Sequence, residues 1–260
     1  MAGLILNRPR THLVIPDPHA HPDHSNERFN WLAGLIKDIR PDVVVNLGDH
    51  FDMPSLSGFD RGTKSFIGRN YMKDIDSGID AHHRMWDPVK RSKKKLPYRV
   101  VLEGNHEHRI KRAINERPEL DGAVSFDQLA FGEFYDSCVE YSGNTPGVVN
   151  IDGVYYSHFS ISGVMGRPIG GEHAAYSLLA KNFVSCTVGH SHTVDFAVRT
   201  TVSGQKILGC VAGVYQDYDS DWAGECNKLW WRGVVVKRNV FEGVYDPQFI
   251  SIDQLRKEYS

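Results

Sequence analysis

The chain has 260 residues, 41% of them hydrophobic and 24% charged, a composition that supports a substantial buried core and argues against disorder. Lys plus Arg number 30 against 32 Asp plus Glu, so a formal net charge of -2 marks the chain for neither nucleic acid nor a membrane surface as a whole. No stretch approaches the roughly 18 apolar residues of a spanning helix, and the apolar run in MAGLILNRPRTHLVI is too short for a signal core, so a soluble cytoplasmic protein with no membrane partner is expected.

Three similar units open the chain: HLVIPDPHAH, DVVVNLGDHFD and YRVVLEGNHEH, each an apolar run followed at once by polar, metal-friendly residues. They predict buried strands with chemistry at their C-terminal ends. Between the first two, SNERFNWLAGLIKDIRP predicts a helix capped by Ser25, with Trp31, Leu32, Leu35, Ile36 and Ile39 on one face and Pro41 as its stop. Residues 53–97 read as a helical insertion rimming the site, its helix running from about Tyr71 to Lys95. A helix follows Arg109 to about Glu116, and Phe134–Tyr141, Val148–Ile151 and Val154–His158 alternate as strands, the last two joined by a turn at Asp152-Gly153. A further helix, from about Glu172 to Asn182, precedes the strand FVSCTVGH. VDFAVRTTV, GQKILGCVAG, LWWRGVVVKR and VFEGVYD make the last third strand-rich and are predicted to complete a second sheet, and DQLRKEYS ends as a short surface helix or frayed tail. The fold class is α/β: two mixed β-sheets in a sandwich flanked by helices, in one domain over residues 1–260. Cys138, Cys186, Cys210 and Cys226 lack CxxC spacing and read as free buried thiols.

Chemistry concentrates in five motifs: Asp17-x-His19, Gly48-Asp49-x-x-Asp52, Gly104-Asn105-His106-Glu107, His158 and Gly189-His190-Ser191-His192. Oxygen and imidazole donors without a thiolate suit Mn, Fe, Zn, Co or Ni rather than a structural zinc knot. Residues i and i+2 of a strand point the same way, which predicts that Asp17 and His19 converge on one ion and that His190 and His192 face a common site. Any one motif alone is common by chance. Together, in this order and at these strand ends, they resemble the motif series of calcineurin-like metallophosphoesterases, over Asp17 to His192.

That resemblance implies a phosphoesterase with two divalent ions, manganese foremost. Asp17, His19, Asp49 and His192 would hold the first ion and Asp49, Asn105, His158 and His190 the second, so that Asp49 bridges. A metal-bridging hydroxide would attack the phosphorus in line. His106 is the candidate general acid for the leaving group, and Asp52 the partner expected to orient its ring and raise its pKa. An interaction scaffold, the reading of another class, has no need to keep seven ligands and an acid.

Around these motifs, His21, His50 and His108 read first as surface or supporting histidines, with substrate contact the alternative; Arg109 is a candidate phosphate contact, and His82, His83 and His173 have no spacing argument. The Gly-rich stretch Gly163–Gly171 is expected as a lip over the site, with Arg167 reaching phosphate, and lacks the Lys-Ser/Thr end of a P-loop. Lys90, Arg91, Lys93, Lys94 and Lys95 form a basic run suited to a polyanion or to a solvated helix face. Trp222, Trp230 and Trp231 read as core or sheet-edge aromatics. Phosphoprotein phosphatases of the superfamily carry Arg directly after the second Asp of Gly-Asp-x-x-Asp, where this chain has Met53. The substrate expectation therefore leans to a phosphodiester, nucleotide or nucleic acid, with a phosphomonoester, protein or small molecule, as the alternative.

Overall fold

The computed structural model describes residues 8–260; the N-terminal apolar run at 4–6 lies outside them. Strand β1 (Arg10–Ile15) leads through a loop to α1 (Arg28–Ile39), which ends in a left-handed Arg40 before Pro41. Ser25 does not cap that helix: its Oγ accepts the Glu27 N–H at 3.1 Å in the turn ahead of it. Four fully buried residues make β2 (Val43–Asn46). Helix α2 (Tyr71–Arg91) is capped by Asn70 and stops short of the predicted Lys95. It is no appendage, since it buries Met85 and Trp86 in the core beside α1; only the segment before it stays at the rim. Next come β3 (Tyr98–Leu102), α3 (His108–Glu116), α4 (Phe131–Phe134) and β4 (Ser137–Val139). The strand expected over Phe134–Tyr141 shrinks to three residues because Phe131 and Phe134, three apart, turn inward together on one helical turn.

β5 (Val148–Ile151) and β6 (Val154–Ser157) form the expected hairpin, with Asp152 and Gly153 both left-handed at φ 52° and 85°, as a two-residue type I′ turn requires. The Gly-rich stretch folds into a small hairpin of β7 (Ile161–Ser162) and β8 (Arg167–Pro168). Then follow α5 (Ala174–Asn182), β9 (Cys186–Val188), β10 (Val194–Thr200), β11 (Lys206–Ala212), β12 (Gly233–Phe241), β13 (Val244–Ser251) and α6 (Ile252–Tyr259).

The first sheet has the order β13-β12-β1-β2-β3-β4 and the second β10-β11-β9-β6-β5. The last third therefore does not complete the second sheet as a block. β10 and β11 join it, whereas β12 returns to pair antiparallel with β1, and β13 follows as the edge of the first sheet. Strand alternation explains the layers. Leu13 and Ile15 face α1, α2 and α6, and Val14 faces the second sheet, where it meets a layer containing Val45, Leu102, Tyr156, Leu208 and Ala212. On the far side, α5 covers Cys186, Val188, Ile207 and Val211.

One cation lies inside this apolar layer. Lys237 of β12 is fully buried, donates from Nζ to Thr187 Oγ1, and sits 4.6 Å and 4.2 Å from the ring centres of Tyr156 and Tyr245; burial lowers its pKa to about 8. The cysteines are free as expected, but only Cys186 and Cys210 are buried; Cys138 is half-buried and Cys226 exposed. Among the described residues no helix is long and apolar enough to cross a membrane.

Helix α2 approaches the loop after β2 closely at Gly78, where an added Cβ would stand 2.0 Å from atoms of the Phe51 ring. Gly78→Ala is expected to lower the unfolding free energy by about 1–3 kcal/mol in urea, despite alanine's better helix propensity. Gly132→Ala on α4, which enters open space, should hold or raise it.

Candidate metal centre

All five motifs meet at the C-terminal ends of parallel strands, but not by strand alternation. β1 ends at Ile15, and Asp17, His19, Asp49, His190 and His192 all lie beyond strands with left-handed φ of 38°, 46°, 51°, 67° and 60°. Each such residue costs about 1 kcal/mol, so tertiary contacts must hold it. His19 N–H donates to Asp49 O at 2.9 Å, and Ala20 N–H to His50 O at 2.7 Å, stitching the first loop to the second. The loops also approach too closely for side chains at two glycines. A Cβ on Gly104 would lie 2.2 Å from Asp49 N, and one on Gly189 2.3 Å from Asp17 Oδ1.

Two buried side chains that carry no ligand assignment set these loops. Glu107 Oε2 accepts N–H from Asp49 at 2.9 Å and Gly104 at 2.8 Å, and its Oε1 accepts Phe51 N–H at 2.8 Å. Burial, with Asp49 beside it, raises its pKa to about 7 against the bonds from Phe51 and Gly104. Arg28, fully buried in the first turn of α1, donates to the carbonyls of Pro18 at 2.8 Å, His19 at 3.0 Å, Ser25 at 2.7 Å and Tyr215 at 3.2 Å. Nothing in the sequence singles out Arg28. Glu107 stands inside a quoted motif, and its place there was the one available signal.

The donors form three groups whose atoms lie within 4.8 Å of one another: Asp17, His19 and His192; Asp49, His158 and His190; and His19, Asp52 and His106. His190 and His192 thus part, one to each of the first two groups, because their left-handed backbone turns successive side chains away from each other. The first two groups each draw from both sheets, from loops after β1 or β2 on one side and after β6 or β9 on the other.

The chemistry of this donor set fits divalent cations. His158 Nδ1–H donates to Leu47 O at 2.9 Å, which leaves Nε2 facing Asn105 Oδ1 at 2.9 Å and Asp49 Oδ2 at 3.3 Å. A lone pair among acceptors calls for a positive species. His19 Nε2 and His192 Nε2 likewise stand 3.2 Å apart, and buried Asp17 Oδ1 has no hydrogen-bond partner. Burial raises the Asp17 pKa to about 7, opposed by His158 and reinforced by Asp49. For His158, burial opposes charge, but Asp49 and then Asp17 and Glu107 raise its pKa to about 9. These shifts express carboxylate density without a cation to balance it.

His106 N–H donates to Asp49 Oδ1 at 2.8 Å, and its Nδ1 lies 2.8 Å from Asp52 Oδ1 and 2.6 Å from Asp52 O. Burial, then the Arg109 guanidinium, lowers the His106 pKa overall; Asp49 and the Asp52 hydrogen bond raise it, as expected of Asp52, but are outweighed. Arg109 donates to Asp52 O at 2.9 Å and Met53 O at 3.1 Å, and its other terminal nitrogen is 3.0 Å from His106 Nε2.

A cavity of about 480 Å³ opens over Asp49, Asn105, His106, His190 and His192. Ser57, Phe59, Asp60, Arg109 and Trp222 make its walls. Of the candidate substrate contacts, only Arg109 lines it. His50 is fully buried, bonded to Asn46 and Gly78 and stacked on His82 at 3.8 Å, so it cannot meet substrate. His21 is held by Asp23 N–H at 3.1 Å and Arg69 at 3.1 Å behind Asp52. His108 is fixed by Glu103 at 2.9 Å, and Arg167 is exposed on the β7–β8 hairpin, none of whose residues lines the cavity. Lys94 and Lys95 sit with Arg8, Arg10 and Arg40 at the strand starts, the opposite end of the sheet. Trp222, expected in the core or at a sheet edge, is exposed.

The sequence pattern described as calcineurin-like phosphoesterase matches residues 11–238. The Gene 54 protein of Mycobacterium phage L5 is 28% identical over 204 residues, covering 75% of each chain. A solved crystal structure aligned over 94% of this chain and 100% of its own is 12% identical, with a TM-score of 0.37, too low to carry an argument.

Glu107→Gln would set an amide N–H against backbone N–H donors. It is expected to cost about 1–3 kcal/mol in urea unfolding and to weaken manganese binding about 10–100-fold by calorimetric titration.

Proposed function

Because the chain belongs to the calcineurin-like phosphoesterase family, hydrolases of phosphate ester bonds with a dinuclear divalent metal centre, we propose that it cleaves a phosphodiester in a nucleotide or nucleic acid. Asp17, His19, Asp49 and His192 would hold one ion and Asp49, Asn105, His158 and His190 the other, across residues that act as one domain. Donors of oxygen and imidazole without a thiolate suit manganese, iron, zinc, nickel or cobalt, and the family puts manganese foremost. Bound there, the ions would polarise the phosphoryl oxygens and lower the pKa of water. His106 lines the cavity and carries the proton for the departing oxygen, with Asp52 fixing its ring from Nδ1. The lowered pKa makes its imidazolium a stronger acid and a rarer species.

The observation that carries the diester reading is the state of the cations beside the phosphate position. Met53 is fully buried, and Arg109 already gives two bonds to the carbonyls of Asp52 and Met53 and stands 3.0 Å from the His106 ring nitrogen. A monoester dianion needs a free bidentate clamp; a diester carries one charge and needs room for a second substituent.

With one metal throughout, kcat/KM is expected to be higher for bis-nitrophenyl phosphate than for mono-nitrophenyl phosphate, and a preference for the monoester would overturn the reading. His106→Asn should lower kcat about 10²–10⁴-fold for diesters with alkoxide leaving groups and much less for nitrophenolate. A uniform loss would assign His106 to metal or substrate positioning instead.

A further inference from the structure

We infer that Phe59 and Trp222 clamp a nucleobase of the substrate at the mouth of the metal cavity, and that Arg112 in the adjoining trough receives the next phosphate of a strand. This rests on the phosphodiester reading and names the substituent that reading leaves open.

Phe59 and Trp222 are 94% and 73% exposed, and both line the cavity floored by Asp49, Asn105 and His106. They arrive from unrelated segments, Phe59 from the stretch before α2 and Trp222 from the 221–229 turn after β11. Exposing two large aromatic rings costs solvation unless something covers them. Trp222 is also tied back to the donors: its ring lies 5.7 Å from that of Trp230, which meets the His192 ring edge-on at 4.4 Å. A planar base joined to a phosphoester offers each aromatic a π-face while its phosphorus stays over the floor. A sugar or alkyl substituent has no such face to return. Each stacked base contributes about 1–3 kcal/mol and does so for any base.

The trough beside the cavity, about 300 Å³, shares Phe59 and Arg109 with it and so continues it. Arg61 in this trough is neutralised by Glu116 at 3.0 Å. Arg112 lines the same trough and, among the described residues, has no ion pair. A cyclic mononucleotide would use the clamp alone; a strand would use the clamp and Arg112.

The test compares a dinucleoside monophosphate with an abasic analogue carrying the same scissile bond, in manganese-loaded enzyme. Phe59→Ala and Trp222→Ala should each raise KM about 5–100-fold more for the base-bearing substrate than for the abasic one. Equal losses on both substrates, or a change of molecular mass in solution that marks the rings as contacts between copies, would overturn the clamp. Adenosine 5′-monophosphate should quench tryptophan fluorescence in the native enzyme and not in Trp222→Ala. That readout needs no turnover, so an enzyme that cleaves no diester yet shows it keeps the clamp while losing the diester reading; undiminished quenching in Trp222→Ala overturns the clamp. Arg112→Gln should weaken cleavage of a single-stranded tetranucleotide and flatten its salt dependence by about one counterion. An unaltered salt slope removes the strand subsite and leaves a mononucleotide as the substrate.

Discussion

Four carboxylates, of Asp17, Asp49, Asp52 and Glu107, are brought together at one end of the sandwich, and three of them are almost wholly out of water. A buried anion without compensation is costly, and these four divide the available donors unequally. Asp52 has the rings of His19 and His106, and burial notwithstanding its pKa stays well below the usual range. Asp49 has His106 N–H and the rings of His106 and His158 nearby. Asp17 and Glu107 are left with too little, and burial lifts both toward neutrality. The left-handed loops, the glycine contacts and the buried Arg28 all serve to hold this arrangement, which has little reason to persist unless a cation completes it.

Compression of the site follows from how few residues each loop has. The chain leaves β1, β2 and β3 and must turn within two or three residues to bring carboxylate or imidazole over the strand ends. Positive φ achieves the turn after β1 and β2, and Glu107 secures the loops after β2 and β3 by taking three N–H donors from them. Removing any one contact loosens a network, because Asp49 N–H is held by Glu107 while Asp49 itself holds His106 N–H.

The strands, and the gathering of Asp and His at their ends, were legible because Val and Ile runs stop abruptly at Asp, Asn and His. The helix α1 was legible through its apolar face. Three kinds of feature were not. Arg28 looks like any helical arginine, since its partners at Pro18, His19 and Tyr215 are assembled only by tertiary structure. The return of β12 to β1 carries no local mark: GVVVKR reads as a buried strand for either sheet, and Lys237 even argues against burial until Thr187 and the two tyrosines enclose it. Trp222 reads as core by composition, and only its place at the start of the 221–229 segment, at the cavity mouth, leaves it in solvent.

The donors of each proposed ion come from both sheets, so no single loop sets the gap between them. That gap is fixed by the thickness of the layer where Val14, Val45 and Leu102 meet Tyr156, Leu208 and Ala212. The apolar interior would act as a calliper on a bound ion, because close packing transmits a change of one methylene across it. A swap at Val45 or Ala212, inside that layer, would shift the donors of one sheet against those of the other. On this reading the fit of an ion would depend on core packing as well as on the donor atoms.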